Sequence, residues 1–321
     1  MAEVDILLAA YNGEKYIAEQ IASLLAQTFQ DFRIIIRDDG STDNTPAIIE
    51  EYAAKYPDKI KVVHDNAVCR NATSNFFQLL KYAEADYVMF CDQDDVWLPY
   101  KVQISIDYMK KTEQDAPRKP VMVFTGLEVT GSRLERTDKF MALGVSKRCY
   151  EFESLLMGNC ASGCTEMMNR PLWSRLGSYD DCIDLHDHWA ALYASVSGVI
   201  RHIPMALILY RQHGSNVIGA KTEGMALRIA KFVRDVTLRT ITKWKSSRET
   251  FKRLYKKFML LRERIPEDTA PDRLKALDDC IVMFSPNSSA GAKFAAMRRL
   301  RFMQHHGLFE YLKMVVRLIM L

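Results

Sequence analysis

The chain has 321 residues, 48% of them hydrophobic and 26% charged, enough apolar surface for one large α/β domain with a smaller appendage, which excludes a mainly disordered protein. Residues 1–10 contain Glu3 and Asp5 and lack a basic n-region, and no uninterrupted apolar run reaches the ~18 residues a membrane span needs. A net charge of +4 conceals a local excess: residues 221–264 hold 14 Lys and Arg against 4 Asp and Glu, leaving the remainder acidic.

Val4 to Ala9 (VDILLA) is a short apolar run that stops at the polar Tyr11-Asn12-Gly13. Glu14 to Gln27 then places Ile17, Ile21, Leu24 and Leu25 at helical spacing, so the order is strand then helix. Phe32 to Arg37 (FRIIIR) is a second strand, broken by Asp38-Asp39-Gly40-Ser41, and Pro46 to Tyr56 reads as a helix with Thr42 or Asp43 near its N-cap. Ile60 to His64 is a third strand, Ser74 to Glu84 a helix, and Asp86 to Cys91 (DYVMFC) a fourth strand entering Asp92-Gln93-Asp94-Asp95. Nearly all-apolar strands alternating with helices call for a parallel sheet covered on both faces, Rossmann-like in its right-handed crossovers.

Val121 to Phe124 is a further strand, and Leu155 to Arg170 is expected to be helix or loop, being rich in small residues. Asp187 to Ser197 is helical, and Val199 to Tyr210 is a strand interrupted by Pro204. From about residue 222 the pattern changes to helices with basic faces, for example Ile229, Phe232, Val233 and Val236, so the expected domains are 1–221 and 222–321. The seven cysteines form an odd set without a CxxC pair. Cys160 and Cys164 do not have zinc-ribbon spacing, and reduced thiols of a cytosolic protein are expected.

Open α/β sheets bind ligands beyond the carboxyl ends of their strands, where Tyr11-Asn12, Asp38-Asp39 and Asp92 to Asp95 all fall. Carboxylates gathered at one edge repel unless a cation or polar ligand joins them. Asp92 and Asp94, two positions apart on a loop, suit Mg²⁺ or Mn²⁺, which prefer oxygen ligands and substrate phosphates. His213, in Arg211-Gln212-His213 after a strand, could complete such a site as a neutral imidazole or be structural. Asp187, in His186-Asp187-His188-Trp189 at a helix start, is either an N-cap or a general base, ionised at an ordinary carboxylate pKa near ~4. His186 and His188 need not be a zinc pair, since no further ligands lie nearby in sequence.

The order YNGEKYIAEQIASLLAQT, RDDGSTDNT, FCDQDDVWLPYK, GC and NR near Gly163 and Asn169, HDHW and YRQHGSN resembles the inverting GT-A glycosyltransferases of family 2. Within that family it looks like the bacterial rhamnosyltransferases of surface polysaccharide assembly. The likeness spans about residues 4–218 and implies a GT-A fold, a Rossmann-like mixed sheet with helices on both faces, followed here by a C-terminal helical region. It implies that Ala10, Tyr11, Asp38, Asp39, Asp92 and Gln93 hold the nucleotide, with Tyr11 stacking on the base and Asp39 accepting the imide N–H that uracil and thymine share. Asp92, Asp94 and His213 would hold Mn²⁺ or Mg²⁺, and Asp187 would be the catalytic base.

The implied donor is a dTDP- or UDP-linked sugar, with dTDP-rhamnose favoured, and the implied acceptor a saccharide hydroxyl, in many relatives lipid-linked. One departure is Asn66-Ala67-Val68-Cys69-Arg70-Asn71, where many relatives place a glycine after the asparagine; Arg70 reaches either the nucleotide or solvent.

The segments from Lys243-Trp244-Lys245 to Phe258 and from Phe309 to Leu321 mix basic and apolar residues as interfacial helices do. They fit peripheral attachment of a cytoplasmic protein to the inner face of the plasma membrane, or packing on the catalytic domain or in a homodimer. Two other functions compete. A nucleotidyltransferase should carry a glycine-rich phosphate loop after its first strand, which Ala9-Ala10-Tyr11-Asn12-Gly13 is not; a non-catalytic nucleotide-sugar-binding protein would not need the full acid–base and metal set. Nucleic-acid binding through the basic segment lacks a recognised motif and is not expected.

Overall fold

β1 (Val4–Ala10) is buried along almost its whole length because it has a parallel neighbour on each side, β2 (Phe32–Asp38) and β4 (Tyr87–Asp92). β2 pairs in parallel with β3 (Ile60–Val62). The computed structural model that shows this describes residues 2–69, 71–156, 158–214 and 240–306, with Tyr311, Met314 and Val315 beyond them, and in the stretch 240–306 the side chains from 248 onward. Arg70, Ile229, Phe232, Val233, Val236, the expected boundary at 222, the Lys243 to Lys245 side chains and most of 309–321 lie outside what is described.

Side-chain alternation along β1 separates two layers. Val4, Ile6, Leu8 and Ala10 share a core with Ile17, Ile21 and Leu24 of α1 (Ile17–Leu25), Ile49 of α2 (Thr45–Lys55), and Val102, Ile106 and Met109 of α4 (Lys101–Asp115). On the opposite face Phe90 of β4 meets Phe76 of α3 (Ala72–Leu80) and His186 of α7 (His186–Ser197). The cap of α2 is Asn44 rather than Thr42 or Asp43. Asp43 is instead bound to Thr45, accepting from its amide at 3.0 Å and its hydroxyl at 2.5 Å.

The sheet continues through strands less visible in the sequence. Residues 155–170, expected as helix or loop, include β8 (Glu166–Asn169), which runs antiparallel between β4 and β6 (Val121–Thr130). β9 (Val199–Arg211) lies parallel to β6 and passes straight through Pro204. The pairing jumps from Thr125 with Ile203 to Gly126 with Ala206, so Pro204 sits in a bulge where no ladder N–H is required. With β5 (Val96–Trp97) on β9 and β7 (Arg136–Met141) on β6, the order is β3-β2-β1-β4-β8-β6-β9-β5, a mixed nine-stranded sheet.

The chain divides into two compact units, Met1–His213 and Gly214–Leu321. In the second, helices Thr240–Arg264, Pro271–Phe284 and Ala290–Arg299 bury Phe258, Leu261, Leu277, Met283, Phe284 and Met297. Phe258 stacks on Phe284 at 5.5 Å, and Arg299 pairs with Asp279 at 2.6 Å. Among the described residues no helix is long and apolar enough to cross a membrane.

Candidate active site

Parallel register brings the polar strand ends side by side: Ala10 of β1 is opposite Asp38 of β2, and Ala9 is opposite Asp92 of β4. The Asp39 amide donates to the Ala10 carbonyl at 2.9 Å. Gln93 binds the Tyr11 backbone in both directions, accepting from its amide at 2.8 Å and donating to its carbonyl at 2.9 Å. A Cβ at position 13 would lie 2.2 Å from Gln93 Oε1, so Gly13 is what lets this side chain reach across.

The two aspartates after β2 have different surroundings. Asp38 Oδ2 accepts the amides of Gly40 and Ser41 at 3.1 and 2.8 Å, and the Ser41 hydroxyl binds Oδ1, so Asp38 closes its own turn. Asp39 Oδ1 accepts from Arg37 Nη1 and the Cys69 amide, each at 3.0 Å. The Cys69 thiol also hydrogen-bonds this carboxyl, whose side chain is 9% exposed. Arg37, 2% exposed, also donates to Asp65 at 2.8 Å, to Asn75 at 2.8 Å and to the Ala67 carbonyl, fastening the 65–69 loop to β2. Tyr11 and Val68, 56% and 85% exposed, stand on either side of Asp39 in the chain segments it bridges.

Beyond β4, Asp94 Oδ2 lies 2.8 Å from His213 Nε2. The His213 ring stacks on Tyr16 at 4.8 Å, and the Arg211 guanidinium covers the same tyrosine at 4.7 Å. Arg211 also donates to the Asp94 carbonyl at 2.8 Å and, through its amide, to Asp95 Oδ1 at 3.2 Å, which ties the acidic loop to the end of β9. Burial, with like charge from Asp94 and Asp187, pushes Asp92 up to about 7, and burial raises Asp95 well above the carboxylate range. Such repulsion is what a divalent cation relieves.

Asp92, Asp95 and Cys164 also present donor atoms within 4.8 Å of one another. Burial holds the Cys164 thiol protonated, and it hydrogen-bonds Asp95. A thiolate is a soft ligand poorly suited to a hard ion, whereas the carboxylates of Asp92 and Asp94 with the His213 imidazole are donor types that Mn²⁺ or Mg²⁺ takes. Cys160 is outside that group, and none of the described cysteines is in a disulfide.

Asp187 stands in the first turn of α7, whose cap residue Leu185 offers no side-chain hydrogen bond. Its Oδ1 accepts the His188 amide at 2.5 Å and its Oδ2 the Gly163 amide at 3.1 Å. Burial nevertheless raises it to about 6, so the ordinary carboxylate expected from sequence is in fact a stronger base. The flanking imidazoles are structural: His186 packs on Phe76 and Phe90 at 4.0 and 4.7 Å and is driven down to about 3 by burial, and His188 Nε2 lies 2.6 Å from the Leu155 carbonyl.

Residues 5–164 match the family model for glycosyl transferase family 2. The chain is 30% identical over 226 residues to the dTDP-rhamnosyl transferase RfbG of Shigella flexneri, which covers 66% of this chain and 74% of the relative. This chain belongs to glycosyl transferase family 2. It is therefore a glycosyltransferase, and it is also 32% identical over 133 residues to the putative glycosyltransferase EpsE of Bacillus subtilis, covering 41% of this chain and 48% of that one.

The solved structure of residues 1–349 of TarS from S. aureus with UDP-GlcNAc superposes with a TM-score of 0.53 at 16% identity, covering 95% and 92% of the two chains. A mannosyltransferase from Pyrobaculum calidifontis with GDP-Man and Mn²⁺ superposes at 0.50 and 13% identity, covering 99% and 85%. These neighbours establish the GT-A fold for the transferase.

The matched family segment holds Ala10, Tyr11, Asp38, Asp39 and Asp92 to Asp94, while Asp187 and His213 lie beyond it and are brought in by α7 and β9. Two buried charged groups of the transferase, Lys101 and Glu166, were not anticipated, nor was the half-buried Asn159. Lys101, fully buried, has its Nζ 3.3 Å from the Trp97 ring centre and is lowered to about 7 by burial. Glu166 is buried on β8, and Asn159 precedes it. At the start of an amphipathic helix or in a short strand, each reads in sequence as a surface residue.

Proposed function

We propose that this transferase moves rhamnose from dTDP-rhamnose, or another hexose from a UDP-sugar, onto a saccharide hydroxyl in surface polysaccharide assembly, with inversion at the anomeric carbon. The observation that carries the proposal is Asp187, a buried carboxylate near 6, close enough to Asp92 to raise it. A proton acceptor and a diphosphate-binding set then share one site. The likeness to RfbG supports the choice of dTDP-rhamnose.

Tyr11 stacks on the base and Asp39 Oδ2 accepts the imide N–H of thymine or uracil, while cytosine has no proton at that ring nitrogen. Asp92, Asp94 and His213 would hold Mn²⁺ or Mg²⁺, which when bound supplies Lewis-acid stabilisation to the departing nucleoside diphosphate. Asp187 takes the acceptor proton as the hydroxyl oxygen attacks the sugar from the side opposite the leaving group. General base catalysis of this kind is worth about 10²- to 10⁴-fold, and a base near 6 is both ionised and usefully basic at neutral pH. The basic segment from about 222 onward would meet a lipid-linked acceptor at the inner face of the plasma membrane, which flotation of the whole protein with anionic and neutral vesicles tests.

The donor assignment is tested by thermal unfolding with dTDP, UDP, GDP and CMP, each with Mn²⁺ or with EDTA. A ligand at ~100 times its Kd stabilises by about 2.7 kcal/mol, or about 8 °C for a unit of this size. A metal-dependent rise with dTDP or UDP is expected. An equal rise with CMP, or none with any nucleotide, contradicts the reading.

A further inference from the structure

Tyr16 is the N-cap residue of α1 and gives that helix no side-chain hydrogen bond, although Ser, Thr, Asp or Asn would stabilise a helix better there. What the side chain does engage is the end of β9. The His213 imidazole stacks on its ring with centroids 4.8 Å and planes 27° apart, and the Arg211 guanidinium lies 4.7 Å from the ring centre. A tyrosine at this cap therefore serves those two residues rather than α1.

Both supports of the ring are themselves fixed. Arg211 is 3% exposed and pairs through Nη2 with Glu19, in the first turn of α1, at 2.5 Å. Its Nη1 and Nε donate to the Ser132 and Asp94 carbonyls, each at 2.8 Å, so the cation is tied to the helix, to the turn after β6 and to the acidic loop. The turn carrying Tyr16 is closed by the amides of Tyr16 and Ile17, which both donate to the Gly13 carbonyl at 3.0 Å. His213 stands two residues beyond the end of β9, with its Nε2 2.8 Å from Asp94 Oδ2.

We propose that Tyr16 is a positioning residue for the divalent-ion site, its ring setting the plane of the His213 imidazole so that Nε2 stays beside the Asp94 carboxylate. The inference rests on Asp94 and His213 as ion ligands. Tyr16 acts on the ion only through the imidazole. Stacking restricts rotation of that ring in the ion-free protein, and a ligand already held in place loses less freedom on binding. The position requires an aromatic ring, and the hydroxyl plays no part.

The test titrates Mn²⁺ by calorimetry into the full chain at saturating dTDP, with dTDP affinity and thermal midpoint measured in EDTA. The variants are Tyr16→Leu, Tyr16→Met, Tyr16→Phe, His213→Ala and the double variant Tyr16→Leu with His213→Ala. The two non-aromatic variants are expected to weaken Mn²⁺ binding ~10-fold, as loss of outer-shell partners does, with the midpoint kept and dTDP affinity in EDTA within about twofold. Tyr16→Phe should bind Mn²⁺ within about twofold of wild type, and the double variant no more weakly than His213→Ala alone. Wild-type Mn²⁺ affinity in Tyr16→Leu and Tyr16→Met beside a weakened His213→Ala overturns this inference and leaves the ion site in place. An equal loss in Tyr16→Phe assigns the effect to the hydroxyl, and losses that add in the double variant separate Tyr16 from His213; either overturns it. A midpoint that falls in both non-aromatic variants makes the stack a structural contact and overturns it too. Undiminished Mn²⁺ affinity in His213→Ala removes the imidazole from the ion site, and this inference with it.

Discussion

Replacing Arg37 by Met removes the cation that joins β2 to the 65–69 loop while keeping most of the side-chain volume. The guanidinium is 2% exposed and its partners Asp39 and Asp65 are 9% and 17% exposed, so water cannot fully replace it. Breaking a buried ion pair from one side costs about 3–5 kcal/mol. With about 2–4 °C of midpoint per kcal/mol for a unit of this size, the expected fall is about 10 °C. Thermal unfolding followed by the fluorescence of Trp97, Trp173 and Trp189 reads the first unit.

The same variant changes the response to acid. Arg37 holds the Asp65 carboxyl below the usual carboxylate range, so the pair's contribution is present above about pH 4, the unfolded value, and is lost as pH falls through the lower folded value. Arg37→Met should flatten that part of the pH–stability curve. It should also weaken dTDP binding, because Asp39 loses one of its two Oδ1 partners and the 65–69 loop loses its tie to β2. A loss under about 1 kcal/mol with dTDP affinity intact would place the guanidinium in effective contact with solvent, refuting the argument from burial.

Asp187→Asn should lower turnover by about 10²- to 10⁴-fold with nucleotide affinity unchanged; in the wild type, the rate should rise with pH through about 6, as the buried carboxyl ionises, and fall about tenfold per unit below that. His213→Ala should weaken Mn²⁺ binding, measured by calorimetry, at least ~10-fold, a loss that even outer-shell partners produce. Gly163→Ala introduces a Cβ 2.6 Å from His186 Nε2 and should cost about 1–3 kcal/mol in thermal or urea unfolding, together with turnover, because the same shift moves Asp187.

What could be read in the sequence is the half of the sheet whose strands are long, apolar and parallel. β1, β2 and β4 each end in polar residues, so Asp39, Asp92 and Asp94 could be placed at one edge before any coordinates. β8 could not: four residues beginning with a glutamate show no period, and only pairing with β4 and β6 makes them a strand. β7, exposed along its length, and the two-residue β5 are invisible for the same reason.

At the site, residue types were legible and environments were not. Asp187 could be picked out at a helix start, but its raised basicity comes from burial, which outweighs the amide hydrogen bonds it accepts from His188 and Gly163. Asp38 and Asp39 look alike in sequence, and only the hydrogen bonds show that one closes a turn while the other is held by Arg37 and the 65–69 loop. Lys101 and Glu166, charged types that usually face water, are buried by the tertiary arrangement: Lys101 lies against Trp97 of β5, and Glu166 opens β8, which runs between β4 and β6.

The central claim, single displacement with Asp187 as base, is tested most directly by the configuration of the first sugar released. The wild type is mixed with dTDP-rhamnose and Mn²⁺, water serving as acceptor, and the anomer is read by NMR before mutarotation. Release of the anomer opposite to the donor's, abolished in Asp187→Asn, is the predicted result. Release of the donor's own anomer would contradict it, because retention requires two displacements and a covalent or shielded intermediate for which Asp187 alone is not the base.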